Sequence, residues 1–163
     1  MFDFTVEEEV FIESPAREVF AYIADAENDS EWCPAVLKIR QIEGDGPGQG
    51  AVYEMLHAPG GMKFEATTRI VAFEPNSLIR WVMTDSGHEL HGTYRLEVVD
   101  DGTLLRQRSE FAFKGWMRIP GLLMKRFIVR DVHKELRKQF SNLKQLLEEE
   151  QRSGEAYPSL EAA

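Results

Sequence analysis

The sequence predicts an α+β fold in which one long C-terminal helix covers a curved antiparallel sheet. Three observations support this prediction: a strand and two short helices come first, a run of strands separated by turn residues follows, and one amphipathic helix comes last. The chain has 163 residues, enough for one domain with a sizeable core. We expect a single domain over residues 1–150 and a polar, disordered tail over residues 151–163.

The first part of the chain carries the two short helices. Alternating polar and apolar residues predict a strand over Phe4–Ile12. Ser14 is a suitable N-cap for a helix that has Pro15 at its first position. A second short helix or turn is expected over Asn28–Trp32, and Pro34 ends it because the residue before a proline disfavours helical backbone.

Six further strands are predicted, each bounded by the Gly, Pro, Asn and Asp residues that favour turns. They cover residues 36–42, 51–57, 63–73, 78–84, 88–99 and 103–113. Because the connections are short enough for hairpins, the sheet should be an antiparallel meander.

The last helix is predicted to run from about Pro120 to Glu150. Its apolar residues recur at spacings of three and four, which places them on one face. They are Val129, Val132, Leu136, Phe140, Leu143 and Leu147. This face should pack on the sheet and make the second half of the helix structural.

Four stretches of the sequence resemble the START-like or Bet v 1-like superfamily, which includes the polyketide cyclase/dehydrase and lipid transport group. They are the strand and proline-led helix over 10–20, the Trp-x-Pro element Trp32–Pro34, the strand that ends at Pro75, and the hairpin over 92–103. The resemblance covers Phe4 to Glu150. It implies a helix-grip fold: a seven-stranded antiparallel sheet wrapped around the long C-terminal helix, two short helices after strand 1, and a ligand cavity between sheet and helix.

Strand alternation assigns one face of each strand to the inside of this cup. The inward set is apolar and aromatic with a few polar groups, as in small-molecule pockets, although the same residues could simply fill a core. The predicted cavity lining consists of Tyr53, Met55, His57, Phe64, Thr68, Trp81, Met83, Leu90, Tyr94, Gln107, Ser109, Phe111, Phe113, Trp116 and Phe127.

Several classes of function are disfavoured by composition and motifs. A net charge of -9 argues against general nucleic-acid binding. The four His residues and the single Cys33 show no metal-ligand spacing, so we expect neither a metal site nor a cofactor, and Cys33 should pack as a small apolar residue. No apolar run is long enough to span a bilayer and the N-terminus lacks signal-peptide features, so a cytoplasmic location is the expectation.

An enzyme of the cyclase or dehydratase type would need a general acid or base in the cavity. His57, Tyr94 and Glu54 are the nearest candidates, but alternation turns Glu54 away from the inside. A buried pair of His57 and Tyr94 could polarise a carbonyl group. The residues alone leave the catalytic groups unknown.

The stretch from 111 to 128 combines more apolar side chains than one inward stripe needs with many basic ones. Between Lys114 and Lys138 there are eight basic and two acidic residues, so this segment carries +6 and the rest of the chain -15. A solvated helix face is the simplest interpretation of the charges. The apolar excess favours, in this order, a cavity gate that includes Trp116 and Phe127, a homodimer contact, and transient docking on an anionic membrane.

The first functional hypothesis is a non-catalytic binding or carrier protein for a hydrophobic small molecule, such as a lipid, an isoprenoid or a polyketide-like aromatic. The second is a cyclase or dehydratase that acts on such a compound in the same cavity. The third is an adaptor whose groove binds another protein. The ligand, the oligomeric state and the pathway are not determined by these residues.

Overall fold

The computed structural model describes residues 1–154, which form seven strands, four α-helices and three short 3-10 turns. The strands are β1 Phe4–Ile12, β2 Val36–Glu43, β3 Val52–His57, β4 Phe64–Glu74, β5 Leu78–Thr84, β6 His88–Val99 and β7 Gly102–Phe113. The helices are α1 Ala16–Ala24, α2 Asp29–Trp32, α3 Arg118–Leu123 and α4 Lys125–Ser153. The helix-grip architecture and the two short helices after strand 1 are therefore confirmed.

The seven strands form one antiparallel sheet in the order β1-β7-β6-β5-β4-β3-β2. Strands β2 to β7 pair with their neighbours in sequence, as a meander should. β1 closes the far side by pairing with β7 from Phe4 opposite Phe111 to Ile12 opposite Thr103. Because β1 and β2 are the two edges, α1 and α2 carry the chain across one end of the sheet.

The two faces of the sheet differ as alternation predicts. Along β4, burial alternates with exposure from Phe64 to Ile70. The convex face carries ion pairs such as that of Arg106 with Glu9 and with Glu97, both at 2.8 Å. Exposed pairs of this kind stabilise a fold by about 1 kcal/mol at most, so they mark the solvent side rather than hold the sheet together.

The main core lies at the end of the sheet that α1 and α2 cover. Trp32 is fully buried there, and its carbonyl accepts a hydrogen bond of 3.1 Å from the Asn142 side chain of α4. Phe140, Leu143 and Leu147 of α4 pack into the same cluster. The second half of α4 is therefore structural, as its apolar stripe predicts.

The predicted start of the long helix is wrong. Pro120 lies inside α3, whose last turn closes with a 3.0 Å bond from the Met124 amide to the Pro120 carbonyl. Met124 then leaves helical geometry, with φ -95° and ψ 5°, and α4 begins at Lys125. The reason is tertiary: Gly121 lies so close to the Phe113 ring that a Cβ there would be 2.5 Å from it, and this contact fixes α3 on β7.

The helix also extends beyond the predicted domain end at Glu150. α4 continues to Ser153, and Gly154 ends it in the left-handed region with φ 74°. Residues 151–154 thus belong to the helix and its cap, while the rest of the predicted tail lies outside the described residues. α4 has 29 residues but is highly charged, and no helix within residues 1–154 has the length and apolar character that crossing a bilayer needs.

Ser14 does not cap α1 as predicted. The helix begins at Ala16, and no side chain caps its first amides. The Ser14 hydroxyl instead lies 3.5 Å from a Glu18 carboxylate oxygen, and the Ser14 carbonyl accepts a 2.8 Å bond from Thr103. Ser14 therefore ties the turn between β1 and α1 to β7.

Candidate functional site

The concave face of the sheet carries the strand residues that were predicted to line a cavity. All 13 of them are buried or half-buried. The strand register aligns one central row across the sheet, consisting of Tyr53, Thr68, Met83, Leu90, Phe111 and Phe4. The two predicted residues outside the strands differ, because Trp116 is 56% and Phe127 63% exposed.

The centre of this face forms an apolar cluster of its own. Its members are Ala66, Met83 and Leu90, packed with the half-buried Met55, Trp81 and Phe111. Among the described residues, none from α4 belongs to this cluster. The helix packs instead near β1 and β7, where Leu136 joins Phe4, and at the α1 end, where Phe140 enters the core.

The Trp81 indole lies flat across β6. A Cβ at Gly92 would be only 2.1 Å from two of its ring carbons, so glycine is what leaves room for the ring. The Trp81 and Tyr94 rings are 6.2 Å apart and tilted by 49°. Burial raises the pKa of Tyr94 well above its ordinary value, and a hydrogen bond from Trp81 opposes the rise, so Tyr94 keeps its phenolic proton at neutral pH.

Three polar atoms on the concave face are buried without a hydrogen-bond partner of normal geometry among residues 1–154. They are the Thr68 hydroxyl, the Gln107 amide oxygen and the Tyr53 hydroxyl, of which the last has a looser hydrogen bond from the Ala26 backbone that lowers its pKa. Tyr53 and Thr68 are directly paired across β3 and β4, and the Gln107 amide nitrogen donates to Ser109 at 3.0 Å. Buried polar groups are nearly always satisfied, and an unpaired one costs about 1–3 kcal/mol. These atoms therefore mark positions where a ligand or a water can bind.

Asp29 lies at the α1 end of the concave face. Burial raises its pKa to about 8, the charge of Asp25 adds to the rise, and the Trp32 indole opposes it. Its charge also contributes to the raised pKa values of Cys33 and Tyr94, as well as that of Tyr53, which burial raises to about 12. At neutral pH the Asp29 carboxyl is mostly protonated and can donate a hydrogen bond or a proton.

A second ionisable group lies at the opposite end of the sheet, where Asp85 binds two histidines. His57 Nε2 lies 3.1 Å from Asp85 Oδ2, and His88 Nδ1 lies 3.0 Å from Asp85 Oδ1. The same Oδ1 accepts 2.7 Å bonds from the Gly87 and His88 amides. The Asp85 side chain has no exposed surface.

The protonation states of this group follow from its contacts. Burial raises the pKa of Asp85, but hydrogen bonds from Gly87 and His88 outweigh it and hold that pKa below its ordinary value. Burial lowers the pKa of His57 more than Asp85 raises it. At neutral pH an ionised Asp85 therefore accepts a hydrogen bond from the Nε2–H group of a neutral His57, which leaves His57 Nδ1 as an oriented base.

The pair of His57 and Tyr94, which the sequence left open as a possibility, does not form. His57 is opposite Phe64, whereas Tyr94 aligns through Ile79 with Phe73. His57 shares Asp85 with His88, and His88 is six residues from Tyr94 along β6, which separates the two side chains by roughly 20 Å. Sequence reasoning missed Asp85 because Asp-Ser-Gly also fits an ordinary turn, and it missed Asp29 because distant residues create that environment. Glu54 faces outward and pairs with Arg40, as alternation predicts.

The sequence matches the profile of the family described as "Polyketide cyclase / dehydrase and lipid transport" over residues 3–148. The chain belongs to this family. No curated protein is similar enough in sequence to count as a match.

Solved structures share the fold of this polyketide cyclase/dehydrase and lipid transport family member. The Zhui aromatase/cyclase from Streptomyces sp. R1128 is 18% identical with a TM-score of 0.79, and the match covers 94% of this chain and 99% of that one. A START superfamily protein from Mycobacterium smegmatis is 15% identical with a TM-score of 0.72 over 89% and 97% of the two chains. Ara h 8.0201 is 20% identical with a TM-score of 0.65 over 88% and 96%. At these identities the likeness shows the fold alone.

Trp116 forms part of the rim of the concave face in this family member. Its ring stacks on Phe64 at 6.5 Å, and Phe64 meets the His88 ring edge-on at 5.0 Å. Trp116 therefore lies beside the group formed by His57, Asp85 and His88. Phe127 projects from the first turn of α4 into solvent.

Other candidate sites in this family member are less suitable for binding or catalysis than the concave face. Within residues 1–154 no group of His, Cys, Asp or Glu side chains is arranged to hold a metal ion. Cys33 is buried and unbonded, and burial raises its pKa well above the ordinary value, so it stays an unreactive thiol. Two surface depressions, one on the solvent side of α4 and one on the convex face, are lined mostly by charged side chains and do not suit an apolar ligand.

Proposed function

We propose that this protein binds a hydrophobic small molecule between the concave face of the sheet and α4. One observation carries the proposal: an apolar face contains buried polar atoms on Thr68 and Gln107 that have no partner among residues 1–154, and beside them the Tyr53 hydroxyl, whose one contact is with the Ala26 backbone. Apolar walls with a few orienting polar groups are the usual composition of small-molecule sites. The family description, which includes lipid transport, agrees with this composition.

The polar atoms also restrict the ligand. The Gln107 amide oxygen can only accept, so the ligand needs a hydroxyl or N–H group there, whereas the Tyr53 and Thr68 hydroxyls can donate to a carbonyl. Thr68 and Gln107 are three strands and about four residues apart, a separation of roughly 15–20 Å. A multi-ring polyketide-like aromatic or an isoprenoid with oxygen at both ends fits these positions, and a plain hydrocarbon chain does not.

Titration with the apolar fluorescent probe N-phenyl-1-naphthylamine tests the proposal. Thr68→Phe fills the concave face and should weaken probe binding, while Thr67→Phe places the same ring on the convex face and should not, since Thr67 is exposed. Thr68→Val keeps the volume and should leave binding of this apolar probe unchanged. Equal probe binding by Thr68→Phe and Thr67→Phe would contradict binding at this face.

A second candidate function is cyclase or dehydratase chemistry, and it is favoured by the contact of His57 Nε2 with the buried Asp85 carboxylate at 3.1 Å. A neutral His57 can take a proton from a carbon next to a carbonyl group. The protonated His57 can then give that proton to the departing hydroxyl, so that water leaves and a double bond forms. The Zhui aromatase/cyclase has this fold, but the likeness supports only the architecture.

The enzymatic candidate is tested with a synthetic β-hydroxy ketone of polyketide type. If the protein is a dehydratase, water loss should need His57, and His57→Gln should abolish it while Thr67→Phe does not. If the protein binds the compound but does not convert it, this reaction is excluded for that compound and the result supports the binding or carrier function.

A further inference from the structure

We propose that residues 115–127 form a docking surface for an anionic lipid bilayer. This docking surface consists of the 3-10 turn Gly115–Met117, helix α3 and the first turn of α4. It lies at the end of the sheet where Trp116 covers Phe64 and the group around Asp85.

The docking surface has an unusual concentration of exposed apolar side chains. Six of the 13 exposed large hydrophobic residues within the described part of the chain fall in this short segment. They are Trp116, Ile119, Leu122, Leu123, Met124 and Phe127, of which Leu123 is the most exposed at 81%. The remaining seven are spread over the N-terminus, strands β2, β4 and β6, and one turn. A contiguous exposed apolar patch of this kind marks an interaction surface.

These side chains are not needed to hold the segment in place. α3 rests on Phe113 through Gly121, its only buried residue, and the preceding turn rests on Gly87 through Met117. Trp116 adds a partial stack on Phe64. Contacts of Gly121 and Met117 are enough to anchor the segment. Its large apolar side chains therefore point into solvent without contributing to the core.

Free positive charges surround the same side chains. Arg118, Arg126 and Arg130 are exposed and form no ion pair within residues 1–154. Lys114 and Lys125 are already engaged, with Glu89 and with the Asp3 carbonyl. Basic residues among exposed apolar ones are the composition of surfaces that bind anionic lipid. Since the chain outside Lys114–Lys138 carries -15, electrostatics should turn this end towards an anionic membrane.

A second copy of the chain is a poorer partner for this surface. In a two-fold interface the same patch meets itself, so Arg118, Arg126 and Arg130 of both copies would be brought together. Like charges that are brought together in an interface oppose association. An anionic headgroup layer neutralises the same three side chains, while the apolar side chains enter the interfacial region.

Docking in this orientation would place the rim of the concave face at the membrane. If the proposed ligand site exists, a hydrophobic ligand could then pass between bilayer and protein without crossing water. This link to ligand delivery rests on the proposed function, whereas the docking itself depends only on the surface.

Sedimentation with vesicles tests the docking, with no ligand added. The wild type should sediment with phosphatidylcholine vesicles that contain phosphatidylglycerol, only weakly with pure phosphatidylcholine, and less in high salt. Leu123→Ser/Phe127→Ser should reduce the partition coefficient more than about tenfold. Arg118→Gln/Arg126→Gln should reduce it by about 25-fold, at roughly fivefold for each charge. Matched controls, Val98→Ser for an exposed apolar side chain and Arg17→Gln for an exposed charge, should change nothing.

The proposal is overturned if the wild type does not sediment with anionic vesicles at low salt. It is also overturned if both double variants sediment as the wild type does. A wild-type dimer that fails to bind vesicles and dissociates in Leu123→Ser/Phe127→Ser would assign the surface to a second copy instead. The substituted side chains are exposed, so both double variants should unfold at the same urea concentration as the wild type. If Leu123→Ser/Phe127→Ser does not fold, the result for Arg118→Gln/Arg126→Gln decides whether the proposal holds. If the protein binds the probe but not the vesicles, the docking proposal fails and the ligand-binding proposal is unaffected. If it binds the vesicles but not the probe, the ligand-binding proposal fails and the docking proposal is unaffected.

Discussion

The Nε2 atom of His57 lies 3.1 Å from Oδ2 of Asp85, although β4 separates the strands that carry them. Thr84 pairs with Thr67, so Asp85 emerges beside the small Ala66 and can reach across β4 on the concave face. His88 completes the group from the start of β6. One buried carboxylate thus joins three parts of the rim.

This contact predicts a specific pH dependence of stability. The pKa of His57 is lower in the folded protein than its ordinary value of 6.5, so the unfolded chain takes up the proton first as the pH falls. The free energy of unfolding should therefore decrease as the pH drops below 6.5, until the lower folded pKa is reached. His57→Gln should remove this part of the slope in urea titrations. An unchanged slope in that variant would show that His57 does not titrate as its contacts require.

Asp85 should contribute to the free energy of unfolding in a different pH range from His57. Its pKa is below the ordinary value of 3.8 in the folded state, so its stabilisation is present above pH 3.8 and is lost as the pH falls through the folded pKa. Asp85→Asn should therefore destabilise the protein at neutral pH more than in strong acid. The comparison of urea midpoints at the two pH values measures this difference, and an equal loss at both would contradict it.

Asp29 predicts a slope of the opposite sign. Its pKa of about 8 lies above the ordinary value of 3.8, so the folded state keeps the proton between these values. Stability should be fully present below pH 3.8 and should be lost as the pH rises towards 8, whereas Asp29→Asn should not show this loss. The exposed Asp45→Asn serves as the control and should follow the wild type. A wild-type profile in Asp29→Asn would mean that this carboxyl ionises normally.

The contact between Trp81 and Gly92 predicts a large difference between two glycine substitutions. Gly92→Ala would place a methyl group 2.1 Å from the indole, so the ring must move, at a cost of about 1–3 kcal/mol in unfolding free energy. The displacement should also shift tryptophan fluorescence. Gly48→Ala is the control, since nothing lies within 4 Å of its added atom. If both variants unfold at the same urea concentration, the indole does not pack on β6 as described.

Most of the fold could be predicted from the sequence because the patterns that indicate strands and turns involve residues close together in the chain. Alternation and turn residues placed each strand end within about one residue, and β1, β5 and β6 match their predicted bounds. The predictions were wrong where contacts with residues distant in the sequence determine the local structure. Ser14 bonds Glu18 and Thr103 instead of capping α1, and the packing of Gly121 on Phe113 separates α3 from α4.

The candidate site was accessible only in part for the same reason. The period of two identified the concave face, but it could not show which polar atoms there lack partners or that His57 meets Asp85. The pKa of Asp29 depends on burial by residues of several strands and helices, and no spacing in the sequence records that. Exposure of Leu123 and Phe127 likewise depends on how α3 docks.

The most direct test of ligand binding at the concave face is native mass spectrometry of the protein purified from its own host. The wild type should carry a bound compound that is largely apolar and contains at least one hydroxyl or N–H group. Thr68→Phe should lose that compound, and the control Thr67→Phe should retain it. A wild type without any bound compound that also fails to bind the fluorescent probe, or a Thr68→Phe variant that retains the compound as well as Thr67→Phe does, would contradict the proposed site.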